Sequence, residues 1–365
     1  MNSIEEIVDE IRGGRMVVMM DEATRENEAD LIMAAEAVTP EAIAFFVRYT
    51  SGIICQPMLG ERLQELRLPQ MVPENTESHR TAFTISVDCR HGTTTGISAH
   101  DRAKTIRALA DPASRPDDFA RPGHIFPLRY TPGGVLVRAG HTEATVDLVR
   151  LAGFASLTGI LCEIVNDDGT MKRSAELFEF ARSHSLKVGS IADLIRHRLR
   201  KERSVERISE QVVNTDYGEF RLCCYQDHVN REVHVALVRG TLDAARPPLV
   251  RVHLTDTVRD LIGVHADRGR PLRDALRRIA EDNNGVVVIL HQAESPYDLL
   301  EAVQSLRAPH GAGTRGEARV LRTYGIGAQI LQDLGVRRMR VLSAPRQMRA
   351  ISAFDLEVTE YVDSD

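Results

Sequence analysis

The chain contains no tryptophan, and it has only 7 tyrosines and 10 phenylalanines in 365 residues. Stacking platforms for single-stranded nucleic acid are built from aromatic side chains, so that class is disfavoured at once. Cysteine is also scarce, with five residues and no Cys-x-x-Cys pair. A disulfide framework and a cysteine zinc site are therefore not expected, and a reducing, cytoplasmic setting is. Positive charge is not in excess. The 46 Lys and Arg stand against 52 Asp and Glu, a formal net charge of −6. A protein that grips nucleic acid through bulk charge has the opposite balance. No run reaches the ~18 apolar residues that a membrane span needs. The first residues carry Glu5, Glu6, Asp9 and Glu10, the wrong sign for a signal or transit peptide. The chain is expected to begin as folded protein.

What remains is ordinary globular composition, 43% hydrophobic and 27% charged. At roughly 100–200 residues per domain, the length predicts two domains. Ser3 and Glu6 form a capping-box pattern ahead of Ile4, Ile7, Val8 and Ile11, and Gly13-Gly14 ends that helix. Short apolar strands are read at 16–20, 52–55, 81–89 and 160–165. Helices are read at 40–49, 101–110, 142–152, 174–184 and 190–200. Residues 69–80 and 111–134, rich in proline, read as loops. The charged string 196–210 is the candidate linker, with the boundary near 203. Beyond it strands are read at 205–213, 219–225, 233–239, 249–254 and 285–290. Helices at 271–282, 296–306 and 326–335 and a final strand pair complete the chain. Strands alternating with helices in both halves argue an α/β or layered α+β fold in each.

Four strings carry chemistry. Asp21, Glu22, Glu26, Glu28 and Asp30 crowd one loop around Arg25. Such carboxylates repel unless a cation sits among them, and a hard divalent metal would serve. His124 stands between Pro122 and Pro127, a fixed direction that suits a general acid or base. Arg138-Ala139-Gly140-His141-Thr142 leads into a helix, the way a chain builds an anion site from backbone N–H groups, a hydroxyl and a guanidinium. Glu163 lies inside an apolar strand, where burial favours a proton-transfer role. Thr93 to Ser98 is a second hydroxyl-rich loop. Each string also has a plainer reading: a solvated acidic loop, a histidine satisfied by backbone, an N-cap at Thr142, an acid on the outer face of an edge strand.

Together these strings resemble 3,4-dihydroxy-2-butanone-4-phosphate synthase of riboflavin biosynthesis. The resemblance runs through RENEAD at 25–30, TAFTISVD at 81–88 and TTGISAHDR at 94–102. It continues through RPGHIFPL at 121–128, GGVLVRAGHTEATVDL at 133–148 and LCEIVNDDGTM at 161–171. It implies conversion of D-ribulose 5-phosphate to 3,4-dihydroxy-2-butanone 4-phosphate and formate, with Mg²⁺ (or Mn²⁺) and a homodimer. It also implies that Glu26 and His141 hold the metal. Arg25, Glu26, Asp30, Glu163 and the Arg138, Ala139, Gly140, His141, Thr142 loop would bind substrate. His124 and Glu163 would be essential for catalysis, with Asp21, Glu28, Cys55, Thr95, Ser98 and Asp101 lining the pocket. One departure is Ala29, where the family usually has glycine. If that position needs a positive φ, Ala29 strains the loop by about 1 kcal/mol.

Residues from about 204 to 365 resemble GTP cyclohydrolase II through YGEFRLCCYQD at 217–227, PLVRVH at 248–253 and YGIGAQILQDLGVRRMRVLS at 324–343. That family holds a catalytic zinc on three cysteines after the VRVH strand. Here residues 254–269 contain no cysteine, and two ligand positions fall on Ala266 and Arg268. The fold is expected without zinc and without activity. The alternative is a residual GTP cyclohydrolase II activity on altered ligands such as Asp256, His253 and His265.

Overall fold

The computed structural model describes all residues except 23–24, 243–244, 263–270, 292–293, 295–298, 301–302, 305–316, 344–353, 355 and 363–365. The chain divides into two compact units, Met1–His197 and Arg198–Asp365. The division falls inside a helix, a little before the boundary read at 203.

Unit 1 begins α1 (Ile4–Arg12), β1 (Val17–Met20), β2 (Ala29–Ala34), α2 (Pro40–Tyr49), β3 (Cys55–Met58), α3 (Gly60–Glu65) and β4 (Val87–Cys89). It continues α4 (Ala99–Ala110), β5 (Phe119–Arg129), α5 (His141–Ala152), β6 (Gly159–Glu163), α6 (Ser174–Ser183), β7 (Val188–Ser190) and α7 (Ile191–Lys201). The capping box on α1 is present: Ser3 Oγ accepts the Glu6 N–H, and the Glu6 carboxylate accepts the Ser3 N–H. Ile4, Ile7, Val8 and Ile11 form its buried stripe.

The unit 1 strands form a seven-stranded mixed sheet ordered β4-β5-β3-β6-β2-β1-β7. Its register sets the site. β2 runs antiparallel between β1 and β6, so Asp30 has Met19 on one side and Glu163 on the other. Directly opposed residues share a face of a sheet, which brings the two acids together. Helix α5 packs against β2, β3 and β6. The apolar faces meet in one core that includes Leu31, Phe46, Ile54, Phe119 and Ile160.

Several elements differ from the sequence reading. Residues 119–129, taken as loop, form the long strand β5. Its pairing with β4 shifts register, so that Val87 opposes Ile125 while Asp88 opposes Ala120. The extra residues on β5, Pro122 among them, occupy this irregularity, a place where a sheet accepts proline. The strand expected at 81–89 is regular only from Val87 to Cys89. β3 starts at Cys55 rather than Gly52. Helix α4 starts at Ala99, because Ser98 caps it by accepting the Asp101 N–H. Strand β7 and helix α3 lacked a distinct signal.

Unit 2 comprises β8 (Val205–Thr215), β9 (Gly218–Asp227), β10 (Val233–Arg239), β11 (Leu249–Leu254), α8 (Leu272–Asp282) and β12 (Gly285–Leu290). It ends with α9 (Glu317–Asp333), β13 (Arg338–Val341) and β14 (Glu357–Tyr361). These strands make a second seven-stranded mixed sheet, ordered β14-β13-β11-β12-β10-β9-β8. Its core includes Phe220, Leu237, Leu249, Ile279, Val287 and Leu342. Gln329 on α9 ties the entry to this unit. Its amide donates to the Leu199 and Glu202 carbonyls, and its oxygen accepts the Ser204 N–H. The helix read at 326–335 begins earlier, at Glu317. The helix read at 296–306 falls largely outside the described residues.

The strain expected at Ala29 does not arise. Ala29 opposes Met20 as a regular, fully buried strand residue. The left-handed residue of this loop is Asn27, with φ 56°, a residue type that tolerates that region. Ala29→Gly is therefore expected to destabilise unit 1 by about 0.5–1 kcal/mol. Urea unfolding checks this, and a stabilised variant would show that Ala29 is strained after all.

Candidate active site

The acidic loop folds around Asp21. Its Oδ1 accepts the Glu28 N–H at 2.9 Å, and its Oδ2 accepts the Glu26 N–H and Arg25 Nη1, each at 3.1 Å. Arg25 also pairs with Glu26 at 2.8 Å. Asp21 is thus engaged in shaping the loop, and the Glu26 carboxylate is turned toward α5.

There it meets His141. The Nε2–H of His141 donates to the Met19 carbonyl at 3.1 Å. Its Nδ1 faces Glu26 at 3.7 Å and Asp30 at 3.8 Å. Burial opposes charge on the imidazole, but Asp30 and Glu26 outweigh it and raise the His141 pKa. Burial likewise raises the Asp30 pKa, with Glu163, Glu26 and Glu28 adding to the effect against the pull of His141. Glu26 is the reverse case. Burial works against its carboxylate, yet the His141 hydrogen bond and the Arg25 charge bring its pKa down to about 2. Ligand atoms of Asp21, Glu26 and His141 lie within 4.8 Å of one another. Asp30 Oδ1 is buried without a hydrogen-bond partner, which is costly unless something else meets it. Carboxylate oxygens plus one imidazole nitrogen, anchored through its other nitrogen, suit a divalent cation. The residues present fit such an ion.

Glu163 ends β6 and accepts the Ser51 hydroxyl at 2.6 Å. Glu28 lies 3.9 Å from Arg173. Burial, then the charges of Glu26 and Glu163, raises its pKa. Cys55 and Cys162 are buried beside this group, and burial foremost pushes both thiols up, Cys162 to about 11.

His124 sits apart from these contacts, in the irregular part of β5. Its Nδ1–H donates to Asp88 Oδ2 at 2.6 Å, and its backbone N–H donates to Asp88 Oδ1 at 2.9 Å. The 94–98 loop closes over this pair. Asp101 braces that loop by accepting the Thr94 and Gly96 N–H groups and the Thr94 hydroxyl. Ser98 and Asp101 thus hold structure, and Thr95 is exposed. Arg102 is buried nearby and donates to the Gly52 carbonyl, and burial brings its pKa down against the raising effect of Cys162 and Asp88.

Arg138 lies across the start of α5. It pairs with Glu143 at 2.7 Å and donates to the His79 carbonyl and the Thr81 hydroxyl. A Cβ on Gly140 would stand 2.3 Å from Arg138 Nη1, so glycine is required for this arrangement. Gly140, not Thr142, is the N-cap, and it offers no side-chain cap. The first N–H groups of α5 are therefore open to an anion beside Ala139 and Thr142.

The structure brings Glu26, Asp30, His141 and Glu163 together and sets Arg138 at the same helix start. His79, 3.9 Å from Glu26, links the acidic loop to Arg138 through its carbonyl. Sequence reasoning missed Ser51, His79, Asp88, Arg102 and Glu143. Asp88 had a signal, as the acid that closes TAFTISVD.

In unit 2, His253 bonds Asp260 at 2.8 Å, and Asp260 accepts the Asp256 N–H. His265, Ala266 and Arg268 lie outside the described residues. Asp227, Glu232 and His234 also cluster. However, His234 Nδ1 accepts the His291 N–H at 3.1 Å, which leaves the proton on Nε2, facing Asp227 at 3.9 Å. A protonated nitrogen is no metal ligand.

A buried acid–imidazole cluster thus stands beside an uncapped, arginine-flanked helix start, an arrangement suited to an enzyme that joins a divalent cation to an anionic substrate. Residues 5–197 match the family model described as 3,4-dihydroxy-2-butanone 4-phosphate synthase, and residues 206–363 match that of GTP cyclohydrolase II. A 3,4-dihydroxy-2-butanone 4-phosphate synthase from Pseudomonas aeruginosa is 48% identical over 365 residues, covering 100% of both chains. The crystal structure of RibBX, a two-domain 3,4-dihydroxy-2-butanone 4-phosphate synthase from A. baumannii, superposes with a TM-score of 0.83 at 40% identity, covering 100% of both chains. A 3,4-dihydroxy-2-butanone 4-phosphate synthase in complex with two magnesium ions matches at 48% identity and TM-score 0.52, covering 54% of this chain and 96% of that one. The chain belongs to the 3,4-dihydroxy-2-butanone 4-phosphate synthase family, and its activity is that step of riboflavin biosynthesis. Among the described residues no helix is long and apolar enough to cross a membrane.

The raised thiol pKa values carry an expectation. Iodoacetamide at pH 8 should leave Cys55 and Cys162 unlabelled in the native protein and label both in urea. Peptide mass spectrometry reads this, and native labelling of Cys55 at the rate of a free thiol would contradict its burial.

Proposed function

We propose that unit 1 converts D-ribulose 5-phosphate to 3,4-dihydroxy-2-butanone 4-phosphate and formate. The observation that carries this reading is the convergence of Glu26, Asp30, His141 and Glu163 beside the anion-ready start of α5. Arg138, Thr142 and the backbone N–H groups of α5 bind the substrate phosphate. Glu143 holds the guanidinium in place for that task. Arg25, locked between Asp21 and Glu26, offsets the charge of the acidic loop.

Glu26 and His141 hold the metal, with Mg²⁺ first and Mn²⁺ as an alternative. The related structure with two magnesium ions supports this choice. Such an ion supplies Lewis-acid stabilisation of charge developing on substrate oxygens. Asp30 faces the same space with an unpartnered oxygen and meets the cation or a substrate hydroxyl. Glu163, oriented by Ser51, is the principal proton-transfer group, and His124 is its partner. Substrate enolisation, loss and return of water and expulsion of one carbon as formate all need such groups. The enzyme acts in the cytoplasm as a homodimer.

Unit 2 keeps the fold of its family without the zinc chemistry. The absence of cysteine from 254–269 supports a non-catalytic module for oligomerisation, stability or regulation. The second reading, residual GTP cyclohydrolase II activity, rests on the His253–Asp260 pair and Asp256 as altered ligands.

With Mg²⁺, ribulose 5-phosphate should yield equimolar formate, and chelation should abolish it. Glu26→Ala and His141→Ala should lose metal-dependent turnover. Glu163→Gln should lose about 10²-fold or more in kcat with substrate binding retained. Full turnover after exhaustive chelation would remove the metal from the reading. For unit 2, metal analysis should find no stoichiometric zinc, and GTP should yield no formate. Zinc together with GTP turnover would establish the second reading instead.

A further inference from the structure

His124 on β5 and Asp88 on β4 form a closely packed pair. Asp88 is the middle residue of the short strand β4, and both of its oxygens are committed to one residue. Oδ1 accepts the His124 backbone N–H at 2.9 Å, and Oδ2 meets the ring Nδ1 at 2.6 Å. The pair is built around two glycines. A Cβ on Gly96, at φ +91°, would stand 2.0 Å from Asp88 Oδ2 and 2.8 Å from His124 Nδ1. A Cβ on Gly123 would stand 2.0 Å from the Val87 carbonyl carbon. Ser86 supports the same turn by accepting the Gly123 N–H at 3.1 Å. The loop that carries Gly96 is itself braced by Asp101.

A carboxylate only accepts, so the ring nitrogen that faces it carries the proton. In the neutral imidazole the lone pair then lies on Nε2, at the outward end of the ring. The side chain of His124 is 39% exposed and that of Asp88 12%, so the acid lies behind the ring and the ring opens to solvent. This is the arrangement by which a buried acid fixes a histidine's tautomer and direction in serine hydrolases. There, replacing the acid by its amide keeps the shape and reverses the tautomer.

We propose that Asp88 is a positioning residue for the synthase reaction: it holds His124 as the Nδ1–H tautomer and aims Nε2 as the nitrogen that exchanges a proton with substrate. The proposal rests on the assignment of His124 to proton transfer. Asp88 touches no substrate atom and acts through the ring alone. The chemical step belongs to Nε2: it takes a proton from a substrate hydroxyl or carbon acid as the bond's electron pair stays with substrate, and later returns it to the product.

The test is Asp88→Asn in the full chain. The amide oxygen can still accept the His124 N–H, while its NH₂ must donate to Nδ1 and so moves the ring proton to Nε2. Long-range ¹H–¹⁵N spectra of the imidazoles, with His124 assigned by its loss in His124→Ala, should show an unprotonated Nε2 in the wild type. In Asp88→Asn the unprotonated nitrogen should be Nδ1. kcat should fall on the order of 10²-fold or more, with KM for ribulose 5-phosphate and the affinity for Mg²⁺ nearly unchanged. An unprotonated Nδ1 in the neutral wild-type ring overturns the proposal, and this spectrum decides even if the variant fails to fold. Wild-type kcat in Asp88→Asn alongside an inactive His124→Ala overturns the positioning role alone. Full activity in His124→Ala removes the assignment beneath it.

Discussion

A buried carboxylate that cannot find a hydrogen bond is the constraint around which unit 1 is organised. Asp30 has no choice of neighbour, because the register of β1, β2 and β6 places it between Met19 and Glu163. Left alone, an acid so placed would be neutral, since burial penalises the charged form. His141 supplies the opposing charge from α5, and it is held there by the Met19 carbonyl. The sheet thus fixes both the acid and the anchor of its partner. Nδ1 of His141 is thereby aimed at the oxygens of Glu26 and Asp30. Site and fold share the same three strands.

The remaining chemistry is arranged by side chains that do not perform it. Asp21 directs Glu26, Ser51 meets Glu163, Asp88 meets His124, Glu143 restrains Arg138, and Asp101 braces the loop over Asp88. Each of these partners is held by hydrogen bonds or an ion pair within unit 1. Groups held this way need little reorganisation when charge develops. The glycines follow the same logic. Gly140 is required because Arg138 crosses its Cα, and Gly96 because Asp88 and His124 fill the space a side chain would take.

How much of this was legible in the sequence depends on the range of the interaction. Local patterns were read correctly: the Ser3–Glu6 capping box, the stripe of α1, and the helices 40–49 and 174–184 to within a residue or so. Motifs such as RENEAD and AGHT carried the site residues because their spacing is short. The failures lie where a distant partner decides. Residues 119–129 looked like loop because proline disfavours a strand, yet β3 and β4 flank them and the register shift accommodates Pro122. Ala29 looked strained because a glycine was expected, while the left-handed turn had been taken by Asn27 two residues earlier. Glu143 escaped notice because an acid that orients another residue carries no spacing of its own, and Asp88 was visible only as the last residue of a motif that did not name its partner.

Unit 2 is held together by its own sheet and core. Its sheet is held by Val235, Val250, Val287 and their neighbours in unbroken register from β9 to β12, and none of these contacts involves a metal. Structural zinc stabilises a small domain because little else does. A seven-stranded sheet with its own apolar core has no such need. A module of this kind can therefore keep its fold whether or not a catalytic metal is bound. Gln329 adds to this internal closure, since its amide donates to the Leu199 and Glu202 carbonyls and its oxygen accepts the Ser204 N–H, all within unit 2.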